Sequence, residues 1–536
     1  MDLEDDDDEE ESGLKKSRAD KQMLANAASA LAALCAEAQA DQRIQKVEDL
    51  VNIVKAASSQ KHAWGRVRLA TLALGELGKR VDLASSPGAF EALMAASTAK
   101  TTGSHDDEDH RTSAALALGL VASGSVAAFL PALLTALEKA QANDDDEYVI
   151  LAATKEVASA ADPQALAPFV DRVCDRLVRS SDADGEPTRA MVADCLGALA
   201  PIAPQAVAKC LEGLLDRRSS SMKEVPSAGQ KTDDEEEDVE NSLSNPAVRA
   251  NWTVAAALKQ AGSTTNLKKT NEKHFLEHVG PCLRRALDLI DDAKLDLTVR
   301  RQALVMLNAC AHHRPSLIAP LVSEALPKLR TVVDLKLERV VDLGPFKHKV
   351  DDGLPVRKAA IACVATFLDH ALSNGHDIDD PDLMVTQEPN SEEVAAIFLK
   401  IAPDLVPICV VALADKSEDI QMVAHSLVMK FCHVVPQAIA QSAEPLLEAL
   451  DKTVHKKISA KSGTEADRAY DLVRSGLKAA LALNNLGIPA TTPFLDKANK
   501  KETLANEIAR LQANTLLAFD SAPTMQQSPV APAPPK

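Results

Sequence analysis

The stretch LKLERVVDLGPFKHKVDDG, Leu335–Gly353, is the one segment with the pattern of β-strands in a sequence otherwise patterned as helix. Its first half alternates with a period of two, interrupted by Arg339, and the apolar residues in phase are Leu335, Leu337, Val341 and Leu343. After Gly344-Pro345 the alternation restarts, with Phe346, His348 and Val350 set against Lys347 and Lys349. Two strands joined by a breaker pair have this pattern, so we predict a β-hairpin. The alternative is an irregular linker between two helices.

Helical patterns flank this stretch closely on both sides, so the predicted hairpin projects from a helical body as an isolated two-stranded arm. Such an arm is only marginally stable in water unless another surface covers it. We therefore regard it as a candidate probe for a partner protein.

Outside the hairpin, two short motifs recur within Ala- and Leu-rich helical patterns. A Val-Arg pair occurs at Val67-Arg68, Val248-Arg249, Val299-Arg300 and Val356-Arg357. A Leu-Gly pair occurs at Leu74-Gly75, Leu118-Gly119 and Leu196-Gly197. The spacing of the Leu-Gly pairs fits a period of roughly 40 residues, which is typical of HEAT and armadillo repeats. We predict an all-α fold, a HEAT/armadillo-type helical-repeat solenoid with one projecting β-hairpin.

The repeat pattern carries three physical expectations. Small Gly residues let neighbouring helices approach closely. A short polar side chain ahead of three of the Val-Arg pairs caps the turn into the helix, at Asn245, Asp296 and Asp351. The arginines of the pairs are expected to bind acidic residues of adjacent turns, as a structural ladder.

Charge and composition divide the chain into segments, because like-charge blocks and Ser- or Pro-rich stretches do not form a packed core. The predicted segments are a disordered acidic N-terminus (1–20), HEAT repeats (21–216), a disordered acidic loop (217–245), HEAT repeats (246–334), the hairpin (335–353), C-terminal HEAT repeats (354–513) with an acidic loop (372–393), and a disordered Pro-rich tail (514–536).

Composition argues against several functional classes. The 536 residues carry a formal net charge of -19, which disfavours nucleic acid because phosphate binding needs clustered Lys and Arg. No apolar run approaches roughly 18 residues, so we predict no membrane contact. The nine cysteines are scattered without a C-x-x-C pair, as in a reducing compartment, which predicts a cytoplasmic or nuclear protein.

The sequence contains no motif that indicates an enzyme, and we predict no catalytic residue, metal or cofactor. It has no phosphate-binding Gly-rich loop, no H-E-x-x-H and no G-x-S-x-G. His312-His313 are adjacent, and adjacent helical residues point in different directions. His425 and Cys432 share a helical face, and the favoured interpretation is a core thiol beside a rim histidine.

Two runs, VRRQALVMLNACAHHRPSLI (Val299–Ile318) and GPFKHKVDDGLPVRKAA (Gly344–Ala360), resemble the C-terminal portion of the cullin-associated and neddylation-dissociated proteins, also known as TATA-binding-protein-interacting proteins. The resemblance runs collinearly from about Lys21 to about Ala513. It departs in the acidic N-terminus, in the two acidic loops and in the absence of the N-terminal half that such proteins normally have.

The resemblance implies a non-enzymatic exchange factor for the substrate-receptor modules of cullin-RING ubiquitin ligases. In that family the C-terminal repeats contact the N-terminal domain of the cullin, and a projecting hairpin, which matches Leu337–Val350 here, enters the place where the adaptor subunit docks, in competition with the adaptor. Carried over to this chain, the apolar contacts would come from Leu343, Pro345 and Phe346, and the polar ones from Glu338, Arg339, Lys347 and His348. The full set of partner-binding residues is Leu337, Glu338, Arg339, Val341, Leu343, Gly344, Pro345, Phe346, Lys347 and His348.

Two other classes stay open from the sequence. One is a generic HEAT-repeat scaffold, such as a transport receptor or a phosphatase scaffold, whose partner binding would not need the hairpin. The other is a repeat-protein enzyme of the phycobilin-lyase sort, which a pigment-binding assay would reveal.

Overall fold

The structure, a computed structural model, describes residues 5–56, 64–86, 88–100, 105–140, 144–183, 185–221, 245–263, 269–342, 347–372, 391–456 and 463–520. The chain divides into two compact units, Met1–Ile318 and Ala319–Lys536. Each unit is built from helix pairs stacked in two layers, which is the arrangement of HEAT repeats.

In the first unit, one layer consists of α1 (Asp5–Glu37), α3 (Trp64–Arg80), α5 (His105–Gly124), α7 (Asp144–Ala160), α10 (Glu186–Leu199), α12 (Pro246–Ser263) and α14 (Leu297–His313). Each of these helices packs against the next one in the layer. The other layer consists of α2 (Ala40–Lys55), α4 (Ala89–Ser97), α6 (Val126–Ala140), α8 (Pro163–Leu166), α9 (Val170–Ser180), α11 (Pro204–Ser221), α13 (Lys269–Leu287) and α15 (Pro315–Ile318).

The glycines of the Leu-Gly pairs lie where helices of the first layer touch. A Cβ placed on Gly119 of α5 would lie 2.3 Å from the backbone oxygen of Ala153 in α7, closer than real contacts allow. A Cβ on Gly197 of α10 would lie 2.4 Å from the Cβ of Gln260 in α12. The expectation that small residues permit close helix approach is therefore confirmed at both positions.

The second unit contains the same two-layer stacking. One layer holds α17 (Leu354–Leu372), α19 (Glu418–Val434), α22 (Thr464–Asn485) and α24 (Glu502–Asp520), and the other holds α16 (Val322–Val333), α18 (Ser391–Leu413), α20 (Pro436–Gln441), α21 (Ala443–Val454) and α23 (Thr491–Asn499). Two strands, β1 (Glu338–Asp342) and β2 (Lys347–Asp351), lie between α16 and α17 in the chain.

Helix α18 lies at the centre of this unit. Residues Glu392–Leu413 are long and apolar enough, by length and composition alone, to cross a membrane. The helix packs against α16, α17, α19 and α21, and its Phe398 ring stacks at a tilt on Phe367 with centroids 5.3 Å apart. The apolar composition of α18 is that of a core helix of this unit.

The helices differ from the predicted segment boundaries at three places. Helix α1 begins at Asp5 and so includes most of the acidic stretch that we expected to be disordered. Acidic residues interact favourably with the positive end of a helix dipole, which is consistent with a helix starting there. Helices α11 and α24 run to Ser221 and Asp520, beyond the predicted boundaries. Residues 222–244, 373–390 and 521–536, which make up most of the predicted loops and tail, lie outside the described residues.

Candidate functional site

The predicted hairpin is present. Strands β1 and β2 pair antiparallel, with Glu338 opposite Asp351, Arg339 opposite Val350 and Val340 opposite Lys349. Val341 and His348 also face each other across the ladder, so the two apolar phases read from the sequence lie on one face. The four residues that join the strands, Leu343, Gly344, Pro345 and Phe346, lie outside the described residues.

The described part of the hairpin is largely exposed. Val340 is 59% exposed and Leu337 42%, which is high for branched apolar side chains. Arg339 and Lys349 are also exposed. Within the described part of the chain, neither strand packs extensively against a helix, and the chief packing partner of each strand is the other. Exposed strands of this kind offer unpaired backbone groups and apolar side chains to another protein.

The root of the hairpin is organised by Arg357, in the first turns of α17. Its side chain is 1% exposed and makes four hydrogen bonds. Nε and Nη2 donate to the two carboxylate oxygens of Asp415, at 2.8 and 3.3 Å. Nη1 donates to the backbone carbonyl of Leu335 at 2.8 Å, and Nη2 also donates to Asp351 Oδ2 at 2.8 Å. Arg357 thus binds the chain before β1, the end of β2 and the turn after α18.

Asp351 ties the two ends of the hairpin together. Its Oδ1 accepts hydrogen bonds from the backbone N–H of Leu337 at 3.3 Å and of Gly353 at 3.1 Å. The hydrogen bond from Arg357 lowers the pKa of Asp351, and these two backbone N–H groups act in the same direction. Asp351 is therefore ionised at neutral pH, as its place between a guanidinium and two backbone donors requires.

Gly353 is required at the root because the chain passes close to itself there. A Cβ at this position would lie 2.4 Å from the backbone oxygen of Leu335 and 3.3 Å from Arg357 Nη1. We call the cluster of Arg357, Asp351 and Asp415 the clamp. The sequence Asp351-Asp352-Gly353 thus supplies one carboxylate of the clamp and then a residue small enough to leave room for it.

Further polar contacts surround this buried clamp. Arg339 Nε donates to Asp352 Oδ2 at 2.7 Å, next to the root. Lys416, in the turn that holds Asp415, pairs with Glu338 of β1. The hydrogen bond from Lys416 lowers the pKa of Glu338. These surface pairs add little stability, but they link the exposed base of β1 to the turn between α18 and α19.

The buried guanidinium at the root is electrostatically balanced. Burial alone would lower the pKa of Arg357, but its hydrogen bonds to Asp351 and Asp415 raise it. Asp415 is itself buried, and its Oδ1 also accepts from the backbone N–H of Ser417 at 2.8 Å. When all charged groups of a buried cluster have hydrogen-bond partners, other arrangements of the cluster would break these bonds, so its side chains keep one geometry. The root therefore fixes the direction in which the hairpin leaves the helices.

The outcome for the predicted site residues is mixed. Leu337 precedes β1 and Glu338, Arg339 and Val341 belong to it, while Lys347 and His348 belong to β2, so the backbone brings these six together. The other four lie outside the described residues. Sequence reasoning missed Asp415 and Lys416, because their partners lie 58 and 78 residues away in the chain and no local motif marks such a pairing.

The arginines of the Val-Arg pairs follow the expected ladder only in part. Arg68 binds the carboxylate of Asp109 in the next helix of its layer at 3.0 Å, and Arg357 binds two carboxylates. Arg249 and Arg300 donate to backbone carbonyls, those of Asp182 and Ile290, both at 3.0 Å. Carbonyls at turns and helix ends lack intrahelical donors, so arginine side chains can supply them.

The histidine and cysteine pair singled out from the sequence is part of the core. His425 is fully buried and its Nδ1 lies 2.8 Å from Ser475 Oγ, so the expectation of a rim histidine is wrong. Burial raises the pKa of the Cys432 thiol to about 11, which keeps it protonated. The described residues contain no cluster of three or more His, Cys, Asp or Glu side chains that could hold a metal ion.

Comparisons with known proteins converge on one family. Residues 317–508 match the family described as TIP120, TATA-binding protein interacting (TIP20). This range contains the hairpin, and it begins two residues before the second unit, which starts at Ala319. Cullin-associated NEDD8-dissociated protein 1 of Arabidopsis thaliana is 30% identical over 474 residues, 87% of this chain and 33% of the relative. Cullin-associated NEDD8-dissociated protein 2 of Mus musculus is 30% identical over 499 residues, 92% of this chain and 33% of the relative.

A shorter relative is the C-terminal part of cullin-associated NEDD8-dissociated protein 1 of Emericella nidulans, 31% identical over 274 residues, 50% of this chain and 22% of that protein. Among solved structures, importin β aligns with 90% of this chain and 56% of its own at 14% identity, with a TM-score of 0.43. The chain spans about a third of the length of the Arabidopsis and mouse relatives. On the sequence matches, the chain is similar over most of its own length to the cullin-associated NEDD8-dissociated proteins, and residues 317–508 match the TIP120 family.

Proposed function

We propose that this chain binds the N-terminal domain of a cullin through its hairpin, in competition with the adaptor subunit, and so promotes exchange of adaptor and substrate-receptor modules on cullin-RING ubiquitin ligases. The proposed role is non-enzymatic. The names of the relatives, which describe association with cullins, support the choice of partner.

One observation carries the proposal. The exposed hairpin leaves the helices at a buried clamp formed by Arg357, Asp351 and Asp415, within the range that matches the TIP120 family. An isolated two-stranded arm gains stability when a partner covers it. A fixed root reduces the conformational entropy lost on binding, because the direction of the arm is set before the partner arrives.

The proposed exchange follows from overlap of binding surfaces. If the hairpin and the adaptor need the same part of the cullin, each weakens the binding of the other by the same factor. A short-lived complex of all three then releases either partner faster than a binary complex would. No covalent step is needed.

Two exposed residues of the hairpin allow a test that leaves its root intact. Val340 and Lys349 lie opposite each other in the ladder, and neither takes part in the clamp. We expect the double variant V340D/K349E to bind a purified unmodified cullin N-terminal domain at least about tenfold more weakly than the parent chain, since an interface centre tolerates buried charge poorly. The control is Val423→Asp on α19, which makes the Val-to-Asp half of this change at another exposed valine.

Calorimetric titration of the cullin domain, alone and with adaptor bound, separates the alternatives. The proposal expects the parent chain to bind the free domain more tightly than the adaptor-bound domain, and Val423→Asp to behave like the parent. Equal binding by the parent and V340D/K349E would reject the hairpin as the contact. It would favour a generic scaffold that binds through its helices.

A further inference from the structure

A groove in the second unit, away from the hairpin, lies along α22 between α19 and α24. Its volume is about 640 Å³. Apolar side chains from all three helices form its floor: Met429, Leu481, Ala482 and Leu511. The groove is open along its length, so an extended segment of another chain can lie in it.

The walls of this groove are basic, in a chain whose formal net charge is -19. They carry His433, Arg474, Lys478 and Arg510, with Glu507 as the single acidic lining residue. Glu507 is bound by Arg474 at 2.8 Å and lies 3.6 Å from Arg510. Lys478 is exposed, and among the described residues it has no carboxylate partner. The local charge is therefore opposite in sign to that of the whole molecule.

A second cavity of about 360 Å³ continues the groove along α22 and shares Arg474 and Glu507 with it. It adds Lys501 and the ring of Tyr470, which is 55% exposed, together with Lys456, which pairs with Glu418 at 2.6 Å. The part of α22 from Tyr470 to Asn485 is about 23 Å long at 1.5 Å per residue. An extended peptide of about seven residues has the same length.

We propose that this groove binds an acidic peptide segment of a partner protein, with carboxylates on the lysines and arginines of the walls and apolar side chains on the floor. Charge complementarity identifies the occupant. Arg474 and Arg510 already pair with Glu507, and Arg474 also pairs with Asp471, so the free positive charge in the first part of the groove is that of Lys478. A cation beside apolar surface attracts a ligand that supplies both carboxylates and apolar groups, and an apolar peptide alone would leave Lys478 partly desolvated without a partner. The proposal concerns a surface separate from the hairpin and does not depend on cullin binding.

The probe for the test is a labelled nonapeptide, DIDDPDLMV, which has the required composition and is taken from residues 377–385 of this chain. Its matched control is NINNPNLMV, in which each Asp is replaced by Asn. Fluorescence anisotropy at low and high salt measures binding to the full chain. We expect the acidic probe to bind with an affinity that falls as salt rises, and the neutral probe to bind at least about tenfold more weakly.

Two charge reversals locate the binding site. Lys478→Glu, in the groove, is expected to weaken the acidic probe about tenfold or more. Lys400→Glu, on α18, makes the same change at an exposed lysine outside the groove and is expected to leave affinity within about twofold. Equal effects of the two variants would show that only the net charge of the chain matters, and would overturn the proposal.

A variant lacking residues 377–385 distinguishes a partner from the chain itself. We expect it to bind the probe with the same affinity as the parent chain. A gain of about tenfold or more on deletion would show that the chain's own acidic segment competes for the groove, and would overturn the assignment to a partner. Thermal unfolding of each variant confirms that it is folded before binding is compared.

Discussion

At the scale of single residues, Arg357 has a second role besides that of a repeated structural arginine, because it also holds the root of the hairpin. Its side chain is buried and bound to two carboxylates and one carbonyl. The repeat pattern from the sequence predicted a structural arginine at this position. It did not predict that the same arginine holds the root of the hairpin, because Asp415 is supplied by a turn 58 residues later.

Replacing Arg357 by Met leaves the carboxylates of Asp351 and Asp415 at the root without their cation. We expect a loss of about 3–5 kcal/mol in the free energy of unfolding of the second unit, since a broken buried ion pair leaves uncompensated charge. Urea unfolding followed by circular dichroism measures it. Arg339→Met removes an exposed pair at the same root and is expected to cost less than about 1 kcal/mol. Similar losses for both variants would contradict a buried clamp.

His425 gives the second unit a defined response to acid. Burial lowers the pKa of His425 to about 4, below its ordinary value of 6.5. The unfolded chain therefore binds a proton that the folded chain does not over the interval between these values. The free energy of unfolding of the second unit is therefore unaffected by the titration of His425 above about pH 6.5. Below that pH it decreases, by up to about 3 kcal/mol at pH 4.

The variant His425→Gln tests this interval, because glutamine does not titrate. We expect the difference in stability between parent and variant to change steadily from pH 7 to pH 4, and urea midpoints across that range measure it. A constant difference would show that His425 titrates near its ordinary pKa in the folded chain.

At the scale of elements, the packing of the repeats depends on glycines at helix contacts. Gly119 of α5 faces the backbone oxygen of Ala153, whereas Gly213 of α11 has nothing within 4 Å of an added Cβ. The two glycines lie in helices of the same unit, and Gly119 is buried at a helix contact whereas Gly213 is exposed.

This contrast predicts opposite effects of the same substitution. Gly119→Ala is expected to destabilise the first unit by about 1–3 kcal/mol, because the helices must move apart. Gly213→Ala is expected to stabilise it by up to about 1 kcal/mol, because alanine favours the helix. Differential scanning calorimetry of both variants provides the comparison. Destabilisation by Gly213→Ala would show that space at the helix contact is not what distinguishes them.

Several elements were predictable from sequence for local reasons. The period of two and the breaker pair predicted the hairpin, whose strands fall inside the predicted stretch. Two of the three predicted caps are present: Asn245 accepts from the N–H of Ala247 in α12 and Asp296 from that of Thr298 in α14. Asp351 instead accepts from the N–H of Gly353, which precedes the first residue of α17. These bonds join residues two positions apart, so the local sequence contains both partners.

At the scale of the whole molecule, the periodicity of the sequence predicted the helical repeats. It did not predict the groove and the clamp, which residues distant in the chain form together. The basic groove along α22 draws its lining from three helices, and the composition of the chain, strongly acidic, indicated the opposite charge. The contacts expected of the four residues between β1 and β2 stay predictions, because these residues lie outside the described part of the chain.

The central claim is that the hairpin and the adaptor weaken each other's binding to the cullin. The most direct measurement is the rate at which labelled adaptor leaves a preformed complex with the cullin N-terminal domain, followed as the concentration of this chain is raised. We predict that the rate rises and then saturates, as exchange through a complex of all three requires, and that V340D/K349E leaves the rate at its spontaneous value. A rate that does not change with added parent chain, while that chain still binds the cullin domain, would contradict the claim.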